Sequence, residues 1–330
     1  MDNRGAVNLA RLQRGSLAAA LLLVLPTVYA QTAGGYPEKP VRVISVLATG
    51  GAVDTVGRIV AGKLSENLRR QFVVENRLGA GGTIGYEYVA KAPTDGYTLL
   101  VGGSGYTIAS ILYPVQYDPL KDIVPIFQTS NSSYLLVAHP ALPARSAKDL
   151  VALAKARPGA LNFGSGGVGS SVHFAMEMLA MAARIKLTHV AYKGSGQAQI
   201  DLIQGQIQAM MTNSVSSLPH VRSGRLRALG VSAAQRSAAM PEIPTIAESG
   251  VPGFNLSVWI GFFAPGGTPA DILAKLASEI DKVLKDPLIA KKIADSGGEP
   301  VELIEQFRQT IRNELVLNRK IAAAANIKVE

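Results

Sequence analysis

The order of segments along the chain is the feature that most constrains its fold. From Pro40 onward an apolar strand is followed by a Gly-rich turn and an amphipathic helix, and this order repeats. The first series contains the strands "VRVISVLAT", "QFVVENR" and "YTLLVGG", with the helix "GGAVDTVGRIVAGKLSENL" after the first of them. Continuous apolar strands that alternate with helices predict a parallel sheet covered on both faces.

A second series of the same kind begins at the apolar strand "SYLLVAHP" (133–140). It continues with a helix over 146–156, the strand "LNFGS", a helix that starts at Ser171, and then "LTHVAYKG", "QAQIDLIQGQ", "IQAMMTN" and "LRALGVS". The apolar strand "LSVWIGFFAP" (256–265) and two amphipathic helices end the chain. The second series therefore predicts a second α/β unit.

Two series in a chain of 330 residues predict an α/β fold of two doubly wound, Rossmann-like lobes. We place lobe 1 over 37–136 plus 255–330 and lobe 2 over 137–254. The apolar strands near 133–139 and 256–263 are the candidates for hinge strands that join the lobes. In such folds a ligand lies at the C-terminal ends of the strands, where the helix N-termini meet.

The first thirty residues have the pattern of an export signal. Three arginines precede an apolar run from Leu17 to Leu25, and small residues follow up to Ala30. The apolar run is about half of the ~20 residues that a membrane-spanning helix needs. A basic start, a short apolar middle and a small-residue end are typical of a secretory signal peptide. We predict a signal peptide over 1–30, cleavage after Ala30 and a mature protein in the periplasm.

The chain has no cysteine and a formal net charge of +9 at pH 7. Without cysteine there is neither a disulfide framework nor a thiolate metal site. The basic residues are scattered and are not interleaved with aromatic residues, so we predict no nucleic-acid partner. A mildly basic surface instead attracts small anions toward a cleft.

Five polar loops follow strands, and we predict that they converge on one cleft, although each alone would also fit an ordinary turn. The candidate ligand-binding residues are Thr49, Gly50, Gly51 and Asp54 in the first loop, Ser104 in the second, Gly167, Ser170, Ser171 and His173 in the third, Lys193 in the fourth, and Thr212 and Asn213 in the fifth. Asp54 is also placed to cap a helix. His173 either lines the cleft or braces its loop through a hydrogen bond.

The stretch "NFGSGGVGSSVHF" (162–174) contains G-x-G-x-x-G, but the next strand ends in Tyr192 and Lys193 instead of the acid that a dinucleotide site requires. No G-x-S-x-G elbow is present, and the four histidines lack metal-site spacing. We therefore predict no cofactor, no metal and no catalysis. Backbone N–H groups, hydroxyls and an amide without a reactive group suit a carboxylate that is held and released unchanged.

Several segments together resemble the substrate-binding proteins of the tripartite tricarboxylate transporters, the Bug family. They are "YPEKPVRVISVLATGGAVDTVGRIVAGKLSE", "VVENRLGAGGTIGYEYVAKAPTDGYTLLVG", "VAYKGSGQAQIDLIQGQI", "SLPHVRSGRLRALGVSAAQR", "PEIPTIAESGVPGF" and "WIGFFAPGGTP". The resemblance covers essentially all of 37–330. It implies a type II periplasmic binding protein, a two-lobed Venus flytrap that closes on a small carboxylate such as a di- or tricarboxylate. It further implies delivery to membrane subunits of a transporter driven by an ion gradient, and a cleft lined by the loops at 49–54, 167–173, 192–195 and 212–214.

The sequence departs from the family pattern at three places. Thr49 stands where a proline is usual, Gly166-Gly167 replaces a Ser/Pro-Gly approach, and Thr212 replaces an aspartate. Loss of that acid favours plain carboxylates over amino acids. We expect a monomer. Two other functions remain open at this point: a sensor partner that presents its ligand to a membrane receptor, and a periplasmic enzyme that acts on small acids.

Overall fold

The computed structural model describes residues 35–47, 49–237, 240–296, 298–299, 301 and 305–329. These residues belong to a single compact unit. The predicted signal peptide and its cleavage site lie outside them. Among the helices of the described part, none combines the length and the apolar character that a membrane span requires.

The first series begins with the strand β1 (Val41–Ser45) and the helix α1 (Ala52–Leu68). It continues with β2 (Phe72–Asn76), a 3₁₀ turn (Ala80–Gly82), α2 (Thr83–Ala90), β3 (Thr98–Gly103) and α3 (Gly105–Leu112). Val53, Val56, Val60 and Leu64 lie on one face of α1 at helical spacing, and all four are buried. The predicted strands and the first helix are confirmed.

The second series starts with β4 (Ile123–Ala138), which begins ten residues before the predicted strand. The elements that follow are α4 (Ala147–Ala156), β5 (Asn162–Ser165), α5 (Ser171–Ala183), β6 (Thr188–Ala191), α6 (Ser195–Ile203), β7 (Ala209–Asn213), α7 (Ser214–Arg222), β8 (Arg227–Val231), β9 (Ser257–Pro265), α8 (Ala270–Leu284), α9 (Pro287–Asp295) and α10 (Glu305–Ala324). Ser146 caps α4 by accepting the backbone N–H of Asp149 at 3.1 Å, which explains why this helix begins where the sequence predicts.

The strands form one mixed sheet in the order β2-β1-β3-β9-β4-β7-β5-β6, with β8 paired to β4. The pairs β1–β2, β1–β3, β5–β6 and β5–β7 are parallel, as predicted. The prediction of a wholly parallel sheet is wrong in the centre, where β9 is antiparallel to β3 and β4, and β4 is antiparallel to β7 and β8. As a result, the parallel strands β1, β2 and β3 run opposite to the parallel strands β5, β6 and β7.

The strand β4 is shared by two halves of the sheet. Its residues 123–133 pair with β9, and its residues 134–138 pair with β7. We call β2, β1, β3, β9 and residues 123–133 the first half, and residues 134–138 with β5 to β8 the second half. Separate apolar cores cover the second half and the two faces of the first half. A small cluster of Ile108, Phe174, Ile321 and Ile327 joins α3, α5 and the end of the chain.

Candidate functional site

A cavity of about 640 Å³ lies between the two halves of the sheet. This volume is within the range of small-molecule sites. Residues at or just after the ends of β1, β2, β3, β5 and β7 all contribute to its wall, as expected for an α/β fold. The lining residues from the first half are Val46, Leu47, Ala52, Val53, Leu78 to Gly82, Gly103 to Gly105, Ile108, Ala109, Tyr113, Ser132, Val258, Trp259 and Ile260, and those from the second half are Tyr134, Val168 to Ser171 and Asn213.

Three helices point their N-termini at this cavity. The helix α1 starts after Gly51 and α3 starts after Ser104, and neither has a side-chain cap. The helix α5 starts after Ser170, whose hydroxyl accepts the N–H of His173 at 3.3 Å. The first N–H groups of a helix have no partner within it, and the helix dipole favours an anion there. The wall of the cavity therefore offers backbone donors to an anion from both halves.

Asp54 lies beneath the first loop and holds it in shape. Its carboxylate accepts hydrogen bonds from the Gly50 N–H at 3.0 Å, Arg58 Nε at 2.9 Å and Asn76 Nδ2 at 2.7 Å. Burial would raise the pKa of Asp54, but hydrogen bonds from Arg58, Asn76 and Gly50 hold it below its ordinary value. The capping role predicted for Asp54 is therefore a hydrogen bond from the Gly50 N–H to its carboxylate. The side chain of Asp54 does not line the cavity.

A turn over Gly79–Gly82, which the sequence analysis did not single out, supplies a further wall. All four of its residues have positive φ angles, +123° at Gly79, +46° at Ala80, +66° at Gly81 and +98° at Gly82. A Cβ on Gly81 would lie 2.8 Å from the ring of Tyr113. Glycine is therefore required there both by conformation and by space. The sequence contained the information needed to select this turn, because it follows β2 just as the five selected loops follow strands.

The third loop is braced from behind by two neutral histidines. His173 Nδ1 accepts the Gly169 N–H at 3.2 Å, and the His173 ring stacks on His189 at 3.7 Å. His189 Nε2 is hydrogen-bonded to Ser165 Oγ at 2.7 Å. Burial and the neighbouring His189 lower the pKa of His173 to about 4, and burial also lowers the pKa of His189. Of the two roles predicted for His173, the structure shows the bracing contact.

Hydroxyl and amide groups complete the wall on the side of the second half. Ser171 is hydrogen-bonded to the hydroxyl of Tyr134, and burial raises the pKa of that tyrosine despite this bond. Ser132 and Asn213 also line the cavity. Among the described residues that line the cavity, none has a charged side chain. An anion here would be held by dipoles and hydrogen bonds alone.

Four of the twelve predicted site residues line the cavity, namely Ser104, Ser170, Ser171 and Asn213. Thr49, Gly50 and Gly51 lie in the turn that leads to Ala52, and Thr49 Oγ1 donates to Asn76 Oδ1 at 3.2 Å. Gly167 precedes the lining residue Val168 and has a φ of +125°. Thr212 is buried within β7, and Lys193 is exposed to solvent.

The sequence analysis missed the aromatic and apolar part of the wall. Tyr113, Tyr134 and Trp259 line the cavity, as do Leu47 and Leu78. Large apolar residues directly beside Gly-rich loops, such as Leu47 and Leu78, would have been a usable signal in the sequence. Within the described part of the chain, no three His, Asp or Glu side chains are grouped so that they would hold a metal ion.

Comparison with known proteins identifies the family. The model of the tripartite tricarboxylate transporter family receptor matches residues 56–327. The chain belongs to this receptor family. A protein from the tcbD-tcbE intergenic region of Pseudomonas sp. (strain P51) is 37% identical over 93% of this chain and 94% of its own length. The protein BugT of Bordetella pertussis is 36% identical over 86% of this chain and 88% of its own length. The resemblance noted in the sequence is confirmed.

Solved structures of family members share the fold. The periplasmic binding protein BugD is 30% identical, with a TM-score of 0.72 over 89% of this chain and 100% of its own. An R. palustris protein with adipate is 32% identical, with a TM-score of 0.75 over 89% of this chain and 99% of its own. MatC from Rhodopseudomonas palustris with bound malate is 30% identical, with a TM-score of 0.71 over 87% of this chain and 99% of its own. This family and this fold are those of periplasmic solute-binding proteins and not of enzymes.

Proposed function

We propose that this chain captures a small organic carboxylate in the periplasm and delivers it to the membrane subunits of a tripartite tricarboxylate-type transporter. Export would use residues 1–30 as a signal peptide cleaved after Ala30. The observation that carries the proposal is the cavity itself, in which the N-termini of α1, α3 and α5 meet without a charged side chain among the described lining residues. Such a site suits an anion that is bound and released unchanged.

In this proposal the ligand bridges the two halves of the sheet. One end of the ligand accepts hydrogen bonds from the backbone N–H groups at the starts of α1 and α3. The other end accepts hydrogen bonds from Ser170, Ser171 and Asn213. A carboxylate at a helix N-terminus gains about 0.3–1 kcal/mol at an exposed site and up to about 2 kcal/mol where it is partly buried. The lobes over 37–136 plus 255–330 and over 137–254 would close by bending at β4 and β9, the strands predicted to act as hinges.

The lining also favours a ligand with an apolar body. Leu47, Leu78 and Val168 line the cavity and are 45%, 52% and 48% exposed, so a ligand would cover them. The R. palustris protein of similar fold holds adipate, which has four methylene groups between its carboxylates. No acid among the described lining residues is available to pair with a ligand amine. We therefore propose plain carboxylates over amino acids.

A thermal-shift screen tests this function. The chain over 31–330 is screened against mono-, di- and tricarboxylates, aspartate and glutamate, with adipamide as the neutral match of adipate and NAD as a control. A ligand that binds only the folded state raises the melting temperature. We expect a rise with at least one carboxylate and none with adipamide or NAD. No rise with any acid, or a larger rise with aspartate than with every plain dicarboxylate, would contradict the proposal.

A further inference from the structure

A partly buried carboxylate, that of Glu314, lies beneath the cavity, although the binding of an anion does not require a carboxylate there. Glu314 on α10 accepts Trp259 Nε1–H at 2.8 Å through Oε1, and its Oε2 lies 3.0 Å from Thr107 Oγ1. Glu314 also lines a small cavity of about 40 Å³. Ser104, Tyr134 and Ser171 line this small cavity as well as the large one. Glu314 is therefore separated from a bound ligand by a single layer of side chains.

The hydrogen bonds around Thr107 indicate which protonation state of Glu314 leaves every polar group with a partner. Thr107 Oγ1 accepts Asn318 Nδ2–H at 3.0 Å and lies 2.9 Å from the carbonyl oxygen of Ser104. A hydroxyl has one hydrogen to donate and two lone pairs to accept with. If Glu314 is ionised, Ser104 and Glu314 compete for that one hydrogen. If Glu314 is protonated, it donates to Thr107, Thr107 donates to Ser104, and every group has a partner.

Among the residues that the structure describes, no cation pairs with Glu314. The groups that face it are Trp259 from β9, Thr107 from α3, Asn318 from α10 itself and the titratable phenol of Tyr134 from β4. The described residues that line its small cavity include no lysine, arginine or histidine. Burial raises the pKa of Glu314 to about 7, although hydrogen bonds from Trp259 and Thr107 oppose the rise. Ionisation thus falls within the pH range in which the protein would work.

A route for the proton is present on the other side of Glu314. A polar groove of about 430 Å³ reaches Glu314 and is lined by Gln128, Asn131, Asn255, Gln306, Thr310 and Asn313, among others. Apart from Glu314, the described lining residues of this groove are uncharged. Proton exchange with solvent would therefore not need to pass through the ligand cavity.

We propose that Glu314 is a positioning residue that is neutral when the cavity holds an anion, so that ligand binding is coupled to the uptake of a proton. Ionised Glu314 places a second negative charge below a site with no counter-charge among its described lining residues. It also draws the Thr107 hydroxyl away from Ser104, the residue that precedes α3. Both effects weaken anion binding as the pH rises. The proposal rests on the function proposed above, because it concerns the same cavity.

The first experiment follows the protonation of Glu314 in the protein without ligand. Trp259 is the single tryptophan of the chain, so its fluorescence reports the carboxyl group that its indole N–H contacts. We expect a change in emission centred near pH 7 in the wild type, and none in Glu314→Gln, which keeps both hydrogen-bonding positions. Glu177→Gln is the matched control, because burial also raises the pKa of Glu177, and it should keep the change. Emission without a transition, or a transition that survives in Glu314→Gln, would overturn the proposal.

The second experiment measures the coupling with adipate as the probe. Calorimetric titrations between pH 6 and pH 8.5 give the dissociation constant and, in buffers of different ionisation enthalpy, the number of protons taken up. We expect wild-type affinity to fall by up to about tenfold per pH unit above pH 7, with a dissociation constant independent of pH in Glu314→Gln. A wild-type affinity independent of pH would overturn the coupling. Absence of adipate binding at every pH would contradict adipate as the ligand of the proposed function, and the fluorescence titration would still decide the state of Glu314.

Discussion

The two walls of the cavity present the same kind of donor but are braced in opposite ways. In the first half the loop before α1 is held by charge, through the buried carboxylate of Asp54 and the half-exposed guanidinium of Arg58. In the second half the loop before α5 is held by two stacked, neutral histidines, of which His173 is buried and His189 is partly buried. A charged brace is tolerated where one partner reaches water, as Arg58 does, whereas the buried ring of His173 has no such contact and remains neutral. The two walls should therefore differ in their response to mutation and to pH.

The largest expected effect is the loss of the charged brace. Replacing Asp54 with Ala leaves the N–H of Gly50 and the amide of Asn76 without their acceptor, which should lower the free energy of unfolding by about 2–3 kcal/mol. Urea denaturation measures it. Asp149→Ala is the matched control, because Asp149 also accepts the N–H of the residue four positions earlier, Arg145, but is only partly buried, whereas Asp54 is buried. If the two variants lose equal stability, burial of Asp54 has no special role.

The next effect concerns binding through the wall of the second half. Ser171→Ala and Asn213→Ala should each weaken carboxylate binding by about 1–3 kcal/mol, since a partner of the bound anion is lost from a covered site. Calorimetry with the best ligand of the screen measures the loss. Ser65→Ala, in the last turn of α1 and not among the lining residues, should bind like the wild type. Unchanged affinity in both cavity variants would mean that these residues do not contact the ligand.

The neutral brace should make the protein sensitive to mild acid. The folded-state pKa of His173 is about 4, below its ordinary value of 6.5, so the unfolded chain takes up the proton first as the pH falls. Stability due to this group is therefore complete above pH 6.5 and is lost as the pH falls toward 4. We expect a loss of about 1–2 kcal/mol between pH 6.5 and 5, reduced in His173→Gln. Equal acid sensitivity of the two proteins would contradict this account of the second wall.

The smallest expected effect is on ligand affinity, at the exposed apolar side chains of the cavity wall. Leu78→Ala should weaken adipate binding by about 0.5–1 kcal/mol, because the ligand would cover part of this exposed side chain. Binding of the shorter succinate should change less. Leu288→Ala, at a leucine that is 72% exposed and is not among the lining residues, is the control. An equal loss for the two acids would show that Leu78 does not contact the methylene chain.

Much of the fold followed from the sequence, and the exceptions have physical causes. The helices α2 and α3 were missed because both begin inside glycine-containing loops and are only eight residues long. The strand β4 was predicted too short because "QTSNSS" (128–133) reads as a loop. In the structure its polar groups are satisfied within the sheet, as where Thr129 Oγ1 donates to the carbonyl oxygen of Ile260 at 3.1 Å. Such a partner, 131 residues away, leaves no local pattern.

The candidate site followed from the sequence only in outline. The rule that loops after strands meet at one edge brought Ser104, Ser170, Ser171 and Asn213 to one cavity. It did not separate residues that line the cavity from those that hold a loop, such as Asp54. That distinction depends on which way a side chain points. Nothing in the sequence indicated a role for Glu314. An acidic residue in an amphipathic helix is predicted to face solvent until its neighbours in the fold are known.

Hydrogen exchange with and without the best carboxylate tests the central claim, that helix N-termini from both halves hold one anion. We predict that the ligand slows exchange at the same time in peptides that cover the starts of α1, α3 and α5, around residues 50–55, 103–108 and 168–174. Peptides from the outer strands β2 and β6 should not change. Protection confined to one half of the sheet, or protection elsewhere with none at these three helix starts, would contradict the account.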